Sequence, residues 1–357
     1  MTRTLLALLL LGLPGCPTEA PDPPFTPDAE ADDVLVVHGP FTGDATVAVV
    51  DPATFAISDG LVGLPGSDWV PATADGAPWL LGRFGIDVAR RYADIDFGAP
   101  ELEVSTGAGT NPQDVASCGG SLFLSRYDVG NDGGGDLAIL DPETGAITST
   151  IDLSAHDEGT DGTPEPTDLH VRGDTLVVAL ERLDRDAGWV ADPEGRVLSI
   201  DCTTHAITAH ATGANPRIDL AGDAVVARTE AGVELVTDSV STVVTAAELD
   251  ATEIVGVGGG DGAALVVGER DTFANEVWCV DLSSGDAELL TSTTHRAWRV
   301  YGAPDGLVWV LWRDHWATGE VEVGGIGVYD PVECAEVTSD WLTFPSDPSS
   351  LAFRSEG

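Results

Sequence analysis

Two glycine-rich loops of this chain carry acidic residues at spacings that suit a metal ion. The first covers residues 128–136 with the sequence DVGNDGGGD, and the second covers residues 157–165 with the sequence DEGTDGTPE. Ca²⁺ binds several carboxylate and carbonyl oxygens on flexible loops, so calcium is the cofactor that these loops suggest. Neither spacing matches the EF-hand, and the alternative is a pair of solvated loops in an acidic protein. The candidate ligands are Asp128, Asn131, Asp132, Asp136, Asp157 and Asp161.

Three further aspartates occupy equivalent positions in a recurring pattern. Asp114, Asp168 and Asp219 each stand two or three residues after a proline that opens an apolar run. If these runs are the innermost strands of a closed ring, the three carboxylates surround its axis and can hold a cation there. The alternative is that they accept hydrogen bonds from nearby backbone N–H groups, a common role for aspartate.

The segment 298–341 is rich in tryptophan and contains a loop with Arg313, His315 and Trp316. A loop that combines aromatic and charged side chains can bind a sugar or a peptide. The alternating apolar pattern around Trp309 is equally typical of strands that pack against each other. Arg313, His315 and Trp316 are therefore candidate binding residues, with packing as the alternative for the tryptophans.

The chain shows no motif of a known catalytic centre. It has no His-Glu-x-x-His pattern, no nucleophile elbow and no phosphate-binding loop. The glycine-rich stretch GVGGGDG at 256–262 lies between two strand patterns with no helix after it, which argues against a dinucleotide site. The seven histidines are scattered at positions 38, 156, 170, 205, 210, 295 and 315.

One pattern recurs through the chain and predicts the fold. A short apolar run ends in Asp, a polar turn follows, and a second apolar run begins, which is a β-hairpin signature. Repeats of roughly 40–50 residues that contain only strands are typical of propeller blades. Seven copies of the pattern therefore predict a single all-β domain with seven blades. The turn aspartates stand 37 to 60 residues apart, at positions 51, 94, 141, 201, 238, 281 and 330.

A second recurring element predicts how the ring closes. A polar residue and a proline lead into a strand at 111–115, 165–169 and 215–220, and proline restricts the residue before it to extended geometry. The same element stands at 347–353, where no blade follows it. We predict that residues 345–353 supply the innermost strand of blade one, which removes two sheet edges.

The N-terminal segment carries the marks of export. Arg3 precedes an apolar run at 5–11 that is too short to span a bilayer, and Leu13-Pro14-Gly15-Cys16 follows. This arrangement resembles a bacterial lipobox, which implies a signal peptide over 1–15, a lipidated Cys16 and a membrane anchor. Pro17 after the cysteine implies, by the same resemblance, the outer membrane of a Gram-negative cell.

Residues 16–32 are rich in proline and acidic residues. Such a composition buries too little apolar surface to order itself. We predict a disordered tether between the lipid and the propeller, which leaves 33–357 for the folded domain.

The charge of the chain excludes one class of partner. It has 60 acidic and 16 basic residues, a formal net charge of -44, and every basic residue is an arginine. Nucleic-acid binding needs clustered basic residues, so no nucleic acid is expected as a partner. The acidic surface favours solubility and a monomer, and it attracts cations.

Four cysteines remain if Cys16 carries lipid, an even number in an oxidising compartment. Three connectivities are possible. We favour the pairs Cys118–Cys202 and Cys279–Cys334 because each joins neighbouring blades. A zinc site is not expected without close Cys or His spacing.

The hairpins and proline-led strands resemble those of YVTN-type (YncE-like) β-propellers. Three stretches are similar to propeller lipoproteins of myxobacteria and their relatives: SCGGSLFLSRY at 117–127, DLSAHDEGTDGTPEPTDLHV at 152–171 and LVVALERLDRD at 176–186. The resemblance implies an envelope lipoprotein of unknown ligand and carries no catalytic residues across.

The sequence therefore favours a binding or scaffold module on the cell envelope, with an envelope protein or a glycan as its partner. One alternative is a lactonase-like or metal-dependent hydrolase propeller with a divalent cation in the central channel. Another is a purely structural envelope protein. Fold alone cannot separate them, because propellers host many functions.

Overall fold

The structure is a computed structural model that describes residues 33–40, 42–128, 135–158, 161–271, 274–313 and 324–354. Cys16 and the segments 1–15 and 16–32 lie outside the described residues. Within the described part, no helix is long and apolar enough to cross a membrane. One 3-10 turn, Ser154–His156, interrupts a fold built of strands.

The apolar runs form strands whose burial depends on their place in each sheet. In the third sheet along the chain, every residue of Asp136–Leu140 is buried, whereas Ile147–Asp152 at the outer edge is mostly exposed. The inner strands of a propeller blade are covered on both faces by neighbouring blades. This is why the middle strands are continuous apolar runs and the outer strands carry polar residues.

The first three blades are four-stranded antiparallel sheets, described here from the innermost strand outwards. Blade 1 consists of Pro348–Arg354, Asp33–His38, Ala45–Val50 and Ile57–Leu64, blade 2 of Trp69–Ala74, Ala77–Gly82, Val88–Arg91 and Leu102–Ser105, and blade 3 of Pro112–Cys118, Ser121–Arg126, Asp136–Leu140 and Ile147–Asp152.

The remaining blades follow the same order, with two elaborations. Blade 4 carries an extra hairpin after its second strand, and the outer strand of blade 7 is split in two. Blade 4 consists of Pro166–Arg172, Thr175–Leu180, Glu194–Asp201 and Ile207–Gly213, with the hairpin Leu183–Asp184 and Val190–Ala191. Blade 5 consists of Arg217–Ala221, Ala224–Thr229, Gly232–Val236 and Val240–Thr245, blade 6 of Glu253–Gly259, Ala263–Asp271, Ala274–Asp281 and Ala287–Thr293, and blade 7 of Arg296–Gly302, Val308–Arg313, Gly325–Asp330, Ala335–Glu336 and Leu342–Thr343.

The last strand of the chain closes the ring, as the sequence predicts. Pro348–Arg354 pairs antiparallel with Asp33–His38, and Val34 lies opposite Phe353 and Val36 opposite Leu351. Both ends of the chain thus contribute to blade 1, and the inner edge of Asp33–His38 is paired instead of being left open.

Each recurring aspartate stands at the end of the third strand of a blade or in the connection that follows it, so the prediction of seven blades is confirmed. At several of these positions the aspartate carboxylate accepts hydrogen bonds from backbone N–H groups of the turn that follows it. Asp51 accepts the N–H of Ala53 at 2.8 Å, and Asp141 accepts the N–H of Thr144 at 2.8 Å. Such turns stabilise the charged carboxylate, and hydrogen bonds from Ser283 and Ser284 lower the pKa of Asp281 to about 2.

The residues before the proline-led strands differ from the extended geometry that proline usually imposes. Asn111, Glu165 and Asn215 have φ angles of 51°, 49° and 53°. This left-handed conformation brings the carbonyls of Asn111 and Glu165 to the ends of the second strands, where they accept the N–H groups of Tyr127 and Glu181 at 3.3 and 3.2 Å. The closing hydrogen bonds offset the backbone strain.

Two disulfides join neighbouring blades in the predicted pairs. Cys118 of blade 3 bonds to Cys202 of blade 4, and Cys279 of blade 6 bonds to Cys334 of blade 7. The Cα atoms are 5.6 Å apart in each pair. Both cross-links therefore act across a blade junction, where the ring would otherwise be held by packing and hydrogen bonds alone.

Candidate functional site: the central channel

The inner strands of all seven blades surround a central channel with a cavity of about 660 Å³. We call the end at which the inner strands begin the mouth of the channel; Gln113, Asp168, Arg217 and Trp298 lie there. A concave cavity with convergent polar side chains is the usual form of a small-molecule site. The channel is therefore the candidate functional site of this fold.

Asp114, Asp168 and Asp219 lie in the channel wall, where the sequence places them. Asp114 of blade 3 accepts the backbone N–H of Leu169 in blade 4 at 2.9 Å. Asp168 of blade 4 accepts the N–H of Ile218 in blade 5 at 3.3 Å. Each carboxylate thus links its own inner strand to the next blade round the ring.

Asp219 makes the same kind of link across a wider span. Its carboxylate accepts the N–H of Gly302 in blade 7 and, at 3.4 Å, the N–H of Gly259 in blade 6. The alternative that the sequence left open, accepting backbone N–H groups, thus applies to all three aspartates, and Asp168 also accepts a hydrogen bond from Arg217.

Burial and charge move the pKa values of these aspartates in different directions. Burial raises the pKa of Asp114 to about 7 and that of Asp219 to about 6. Burial acts in the same direction on Asp168, but the charges of Arg217 and Arg299 outweigh it and lower the pKa of that carboxyl. Asp168 therefore remains charged while its two counterparts can hold a proton near neutral pH.

The channel carboxylates do not form a converging ligand set for a cation. They belong to separate blade junctions, and Arg217, Arg228 and Arg299 share the channel wall with them. Within the described residues, no group of three or more His, Cys, Asp or Glu side chains could hold a metal ion. Cation binding by Asp114, Asp168 and Asp219 therefore stays a prediction, and the described residues do not supply a converging set of ligands for it.

Carboxylates of the two acidic loops form ion pairs and hydrogen bonds with an arginine. Asp128 pairs with Nη1 of Arg185 at 2.6 Å, and Asp161 accepts the backbone N–H of Arg185 at 3.1 Å. Glu165, whose side chain is fully buried, accepts Nε of Arg185 at 2.9 Å, and burial raises its pKa to about 8. One guanidinium therefore supplies the positive charge at this cluster.

Two other candidate calcium ligands also have arginine partners. Asp136 forms a bidentate pair with Arg126, with both N–O distances at 2.5 Å. Asp157 lies 3.4 Å from Nε of Arg182. Asn131 and Asp132 lie outside the described residues, so calcium binding by the first loop stays a prediction.

Two arginines at the mouth are held by carboxylates. Arg217 pairs with Asp168 at 3.2 Å and also with Glu181. Arg83 donates Nε to Asp68 at 2.8 Å and Nη1 to Gln113 at 2.8 Å. These guanidiniums are fixed in place by their partners, and they add positive charge beside the channel.

Two arginines of the channel wall have no such partner. Neither Arg228 nor Arg299 forms an ion pair with any described carboxylate. Nη1 of Arg228 donates to the carbonyl of Asn215 at 3.2 Å, and its Nε is buried without a hydrogen-bond partner. Burial, and then the charge of Arg217, lowers the pKa of Arg228.

Trp298 adds an aromatic surface to the mouth. Its side chain is 39% exposed, and its indole N–H donates to the carbonyl of Ser349 at 3.0 Å. The guanidinium carbon of Arg313 lies 3.8 Å from the centroid of the Trp298 ring. Burial lowers the pKa of Arg313 to about 10. Of the predicted binding loop, Arg313 thus reaches the channel mouth, whereas His315 and Trp316 lie outside the described residues.

The other described tryptophans of this region pack in the interior, which was the alternative interpretation. Trp309 and Trp312 are fully buried. Trp312 stacks on Trp341 with ring centroids 5.3 Å apart and donates to the hydroxyl of Tyr329 at 3.3 Å.

Sequence reasoning missed the arginines of the channel. A signal was available, because Arg217 and Arg299 fall inside proline-led or equivalent inner strands, and basic residues are scarce in this chain. Their approach to Arg228 and Arg83 depends on the closed ring, which no local pattern describes.

No protein-family model matches the chain, and no curated protein matches it. Solved structures do. Dihydro-heme d1 dehydrogenase NirN, in complex with DHE, is 16% identical with a TM-score of 0.53, covering 95% of this chain and 77% of its own. A putative 6-phosphogluconolactonase from Bacteroides uniformis is 14% identical with a TM-score of 0.57, covering 90% of this chain and 99% of its own. U3-55K is 9% identical with a TM-score of 0.53, covering 89% and 97%. At these identities the likeness establishes the fold alone, and this chain is a β-propeller protein.

Proposed function

We propose that this protein is an envelope-anchored binding protein whose small-molecule ligand occupies the central channel. The observation that carries the proposal is the channel itself, a cavity of about 660 Å³ to which all seven blades contribute. Polar side chains converge on it, and Trp298 offers an exposed ring at its mouth. These are the features of a recognition site.

The envelope part of the proposal rests on the N-terminal sequence. The apolar run at 5–11 and the lipobox-like Leu13-Pro14-Gly15-Cys16 support lipidation at Cys16 and a place in the outer membrane of a Gram-negative cell. The resemblance to YVTN-type propeller lipoproteins supports the same cellular location. Two disulfides suit an oxidising compartment outside the cytoplasm.

The hydrolase alternative has less support. A metal-dependent hydrolase needs oxygen ligands that converge on one ion, whereas Asp114, Asp168 and Asp219 each accept a backbone N–H at a different blade junction. The putative lactonase among the similar structures shares the fold at 14% identity, which does not extend its activity to this chain.

The proposal can be tested with the domain from residue 33 onward, since its own last strand closes the ring. The domain is incubated with solubilised envelope extract, washed, denatured, and the released small molecules are identified by mass spectrometry. The Trp298→Ala variant should lose the captured molecule. The Trp189→Ala variant is the matched control, because Trp189 is also exposed beneath an arginine, Arg185, but does not line the channel.

The proposal predicts that the wild type and Trp189→Ala retain the same small molecule and that Trp298→Ala does not. Retention of no small molecule by the wild type, or equal retention by Trp298→Ala, would contradict a ligand in the channel.

A further inference from the structure

The described arginines fall into two groups, those that form an ion pair with a carboxylate and those that do not. Acidic residues outnumber arginines 60 to 16, so a carboxylate partner is easy to find. Most described arginines have one, including Arg126, Arg182 and Arg185, which pair with carboxylates of the two acidic loops. The described arginines without an ion pair are Arg172, Arg228, Arg296, Arg299 and Arg313.

All of these except Arg172 belong to the channel or its mouth. Arg228 and Arg299 line the cavity. Arg296 and Arg313 lie opposite each other in the first two strands of blade 7. The positive groups left without a partner are thus gathered in one place, in a protein whose net charge is -44.

Gathering these cations has an electrostatic cost. Burial lowers the pKa of Arg83, and repulsion from Arg299 and Arg217 lowers it further. Repulsion from Arg299 also acts on Arg313, whose pKa is lowered mainly by burial. Guanidinium groups stay charged at any physiological pH, so the repulsion cannot be relieved by losing a proton. An anion bound between them would relieve it.

We infer that the mouth of the channel binds an oxyanion, a carboxylate or phosphate group of a small molecule, through the free donors of Arg299 and Arg228. This inference rests on the proposed function, because it names the ligand class of the same site. The planar guanidinium matches the two oxygens of a carboxylate or phosphate. Trp298 beside it can stack against a ring or an apolar part of the same ligand.

The outer surface restricts which anions can reach the site. Nucleic acids and other polyanions are repelled by the acidic surface over a range set by the Debye length. A single small anion meets less repulsion and can enter a cavity of about 660 Å³. The charge distribution therefore favours a small anionic metabolite or sugar acid over a polymer.

The test is a calorimetric and thermal-unfolding titration of the domain from residue 33 onward. The probes are inorganic phosphate, citrate and glucuronate, with glucose as the neutral counterpart of glucuronate. The variants are Arg299→Gln and Arg172→Gln. Arg172 is the matched control, because it also has no ion pair but lies at the far end of its inner strand, where it donates to the carbonyl of Asp223 at 3.2 Å.

We expect at least one of the three anions to bind the wild type and Arg172→Gln with equal affinity. Binding to Arg299→Gln should be weaker by about tenfold or more, which corresponds to about 1.4 kcal/mol. Glucose should not bind. Without any anion, Arg299→Gln should unfold at a temperature close to that of the wild type, because the substitution breaks no ion pair and removes both the repulsion from Arg83 and Arg313 and the attraction to Asp168. That readout separates a lost ligand contact from a damaged fold.

The inference is overturned if none of the three anions binds, or if Arg299→Gln binds them as well as the wild type does. Binding of inorganic phosphate would indicate a phosphate ligand, whereas binding of citrate or glucuronate would indicate a carboxylate ligand. If the envelope capture yields a neutral ligand that Trp298→Ala loses, this inference fails and the proposed function stands. If Trp298→Ala leaves the capture unchanged, the proposed function itself fails.

Discussion

The carboxylate of Asp114 in blade 3 accepts the backbone N–H of Leu169 in blade 4 at 2.9 Å. This contact replaces part of the hydration that the carboxylate loses on burial, but not all of it, and burial raises the pKa of Asp114 to about 7. A buried carboxyl at a blade junction therefore changes charge within the physiological pH range, and its titration is coupled to the stability of the ring.

The first prediction concerns the pH dependence of stability. The unfolded chain loses the Asp114 proton near its ordinary pKa of 3.8, whereas the folded protein keeps it up to about 7. The folded state thus binds the extra proton between these values, so the contribution of this group is fully present below pH 4 and is lost as the pH rises through 7. Urea unfolding from pH 4 to pH 8 should show a shallower fall in the free energy of unfolding for Asp114→Asn than for the wild type.

Asp281 supplies the control for this experiment. Hydrogen bonds from Ser283 and Ser284 lower the pKa of its carboxyl to about 2, so its contribution has the opposite sign and is lost only as the pH falls below its ordinary value of 3.8. Asp281→Asn should therefore leave the slope between pH 4 and pH 8 as it is in the wild type. Parallel curves for the wild type and Asp114→Asn would contradict the role given to Asp114.

The second prediction concerns the cross-link between blades 3 and 4. Cys118 and Cys202 are 84 residues apart in sequence, and closing a loop of that length restricts the unfolded chain by roughly 4.5 kcal/mol in the chain-entropy estimate. The double variant Cys118→Ser, Cys202→Ser should lose stability of about that size in urea unfolding. A reducing agent should then destabilise it further, because the Cys279–Cys334 bond remains. An unchanged unfolding midpoint in the double variant would contradict a structural role for the bond.

The third prediction concerns ring closure. Removing residues 348–357 deletes the inner strand of blade 1, including its buried Leu351, and exposes the edge of Asp33–His38. We expect the truncated protein to lose most of its free energy of unfolding and to aggregate, as seen by size-exclusion chromatography and thermal unfolding. Removing only 355–357 is the control and should leave both unchanged. A folded, monomeric protein after the longer deletion would contradict closure by this strand.

The fourth prediction concerns the anchor. If Cys16 is lipidated, cells that produce the full chain should incorporate labelled palmitate into it, and the protein should sediment with the membrane fraction. Cys16→Ser should abolish both. The control Cys118→Ser removes a different cysteine and should keep the label. Equal labelling of the wild type and Cys16→Ser would contradict lipidation at this residue.

The fold was largely predictable from the sequence because its signals are local. Asp51 and Asp141 cap their own turns within three residues, so the blade repeat is visible without any long-range information. The closing strand could be assigned because Pro348 repeats the pattern of Pro112 and Pro166. Even here the positive φ of Asn111 could not be foreseen, since it depends on a hydrogen bond with Tyr127.

The site was less predictable because its contacts join distant parts of the chain. Asp128 meets Arg185, which is 57 residues away, so a loop that looks like a calcium ligand set is paired with an arginine. Arg228 and Arg299 share one cavity only after the ring has closed. Composition showed that basic residues are few, but only the three-dimensional arrangement shows which of them lack a carboxylate.

The decisive experiment is a crystal structure of the domain grown with the anion that binds most tightly in the titration, with arsenate in place of phosphate for its anomalous signal. We expect density for the anion inside the channel, within hydrogen-bond distance of the Arg299 guanidinium and near Trp298. Anion density confined to the outer surface, or a channel that contains only water at an anion concentration that saturates binding in the titration, would contradict an oxyanion site in the channel.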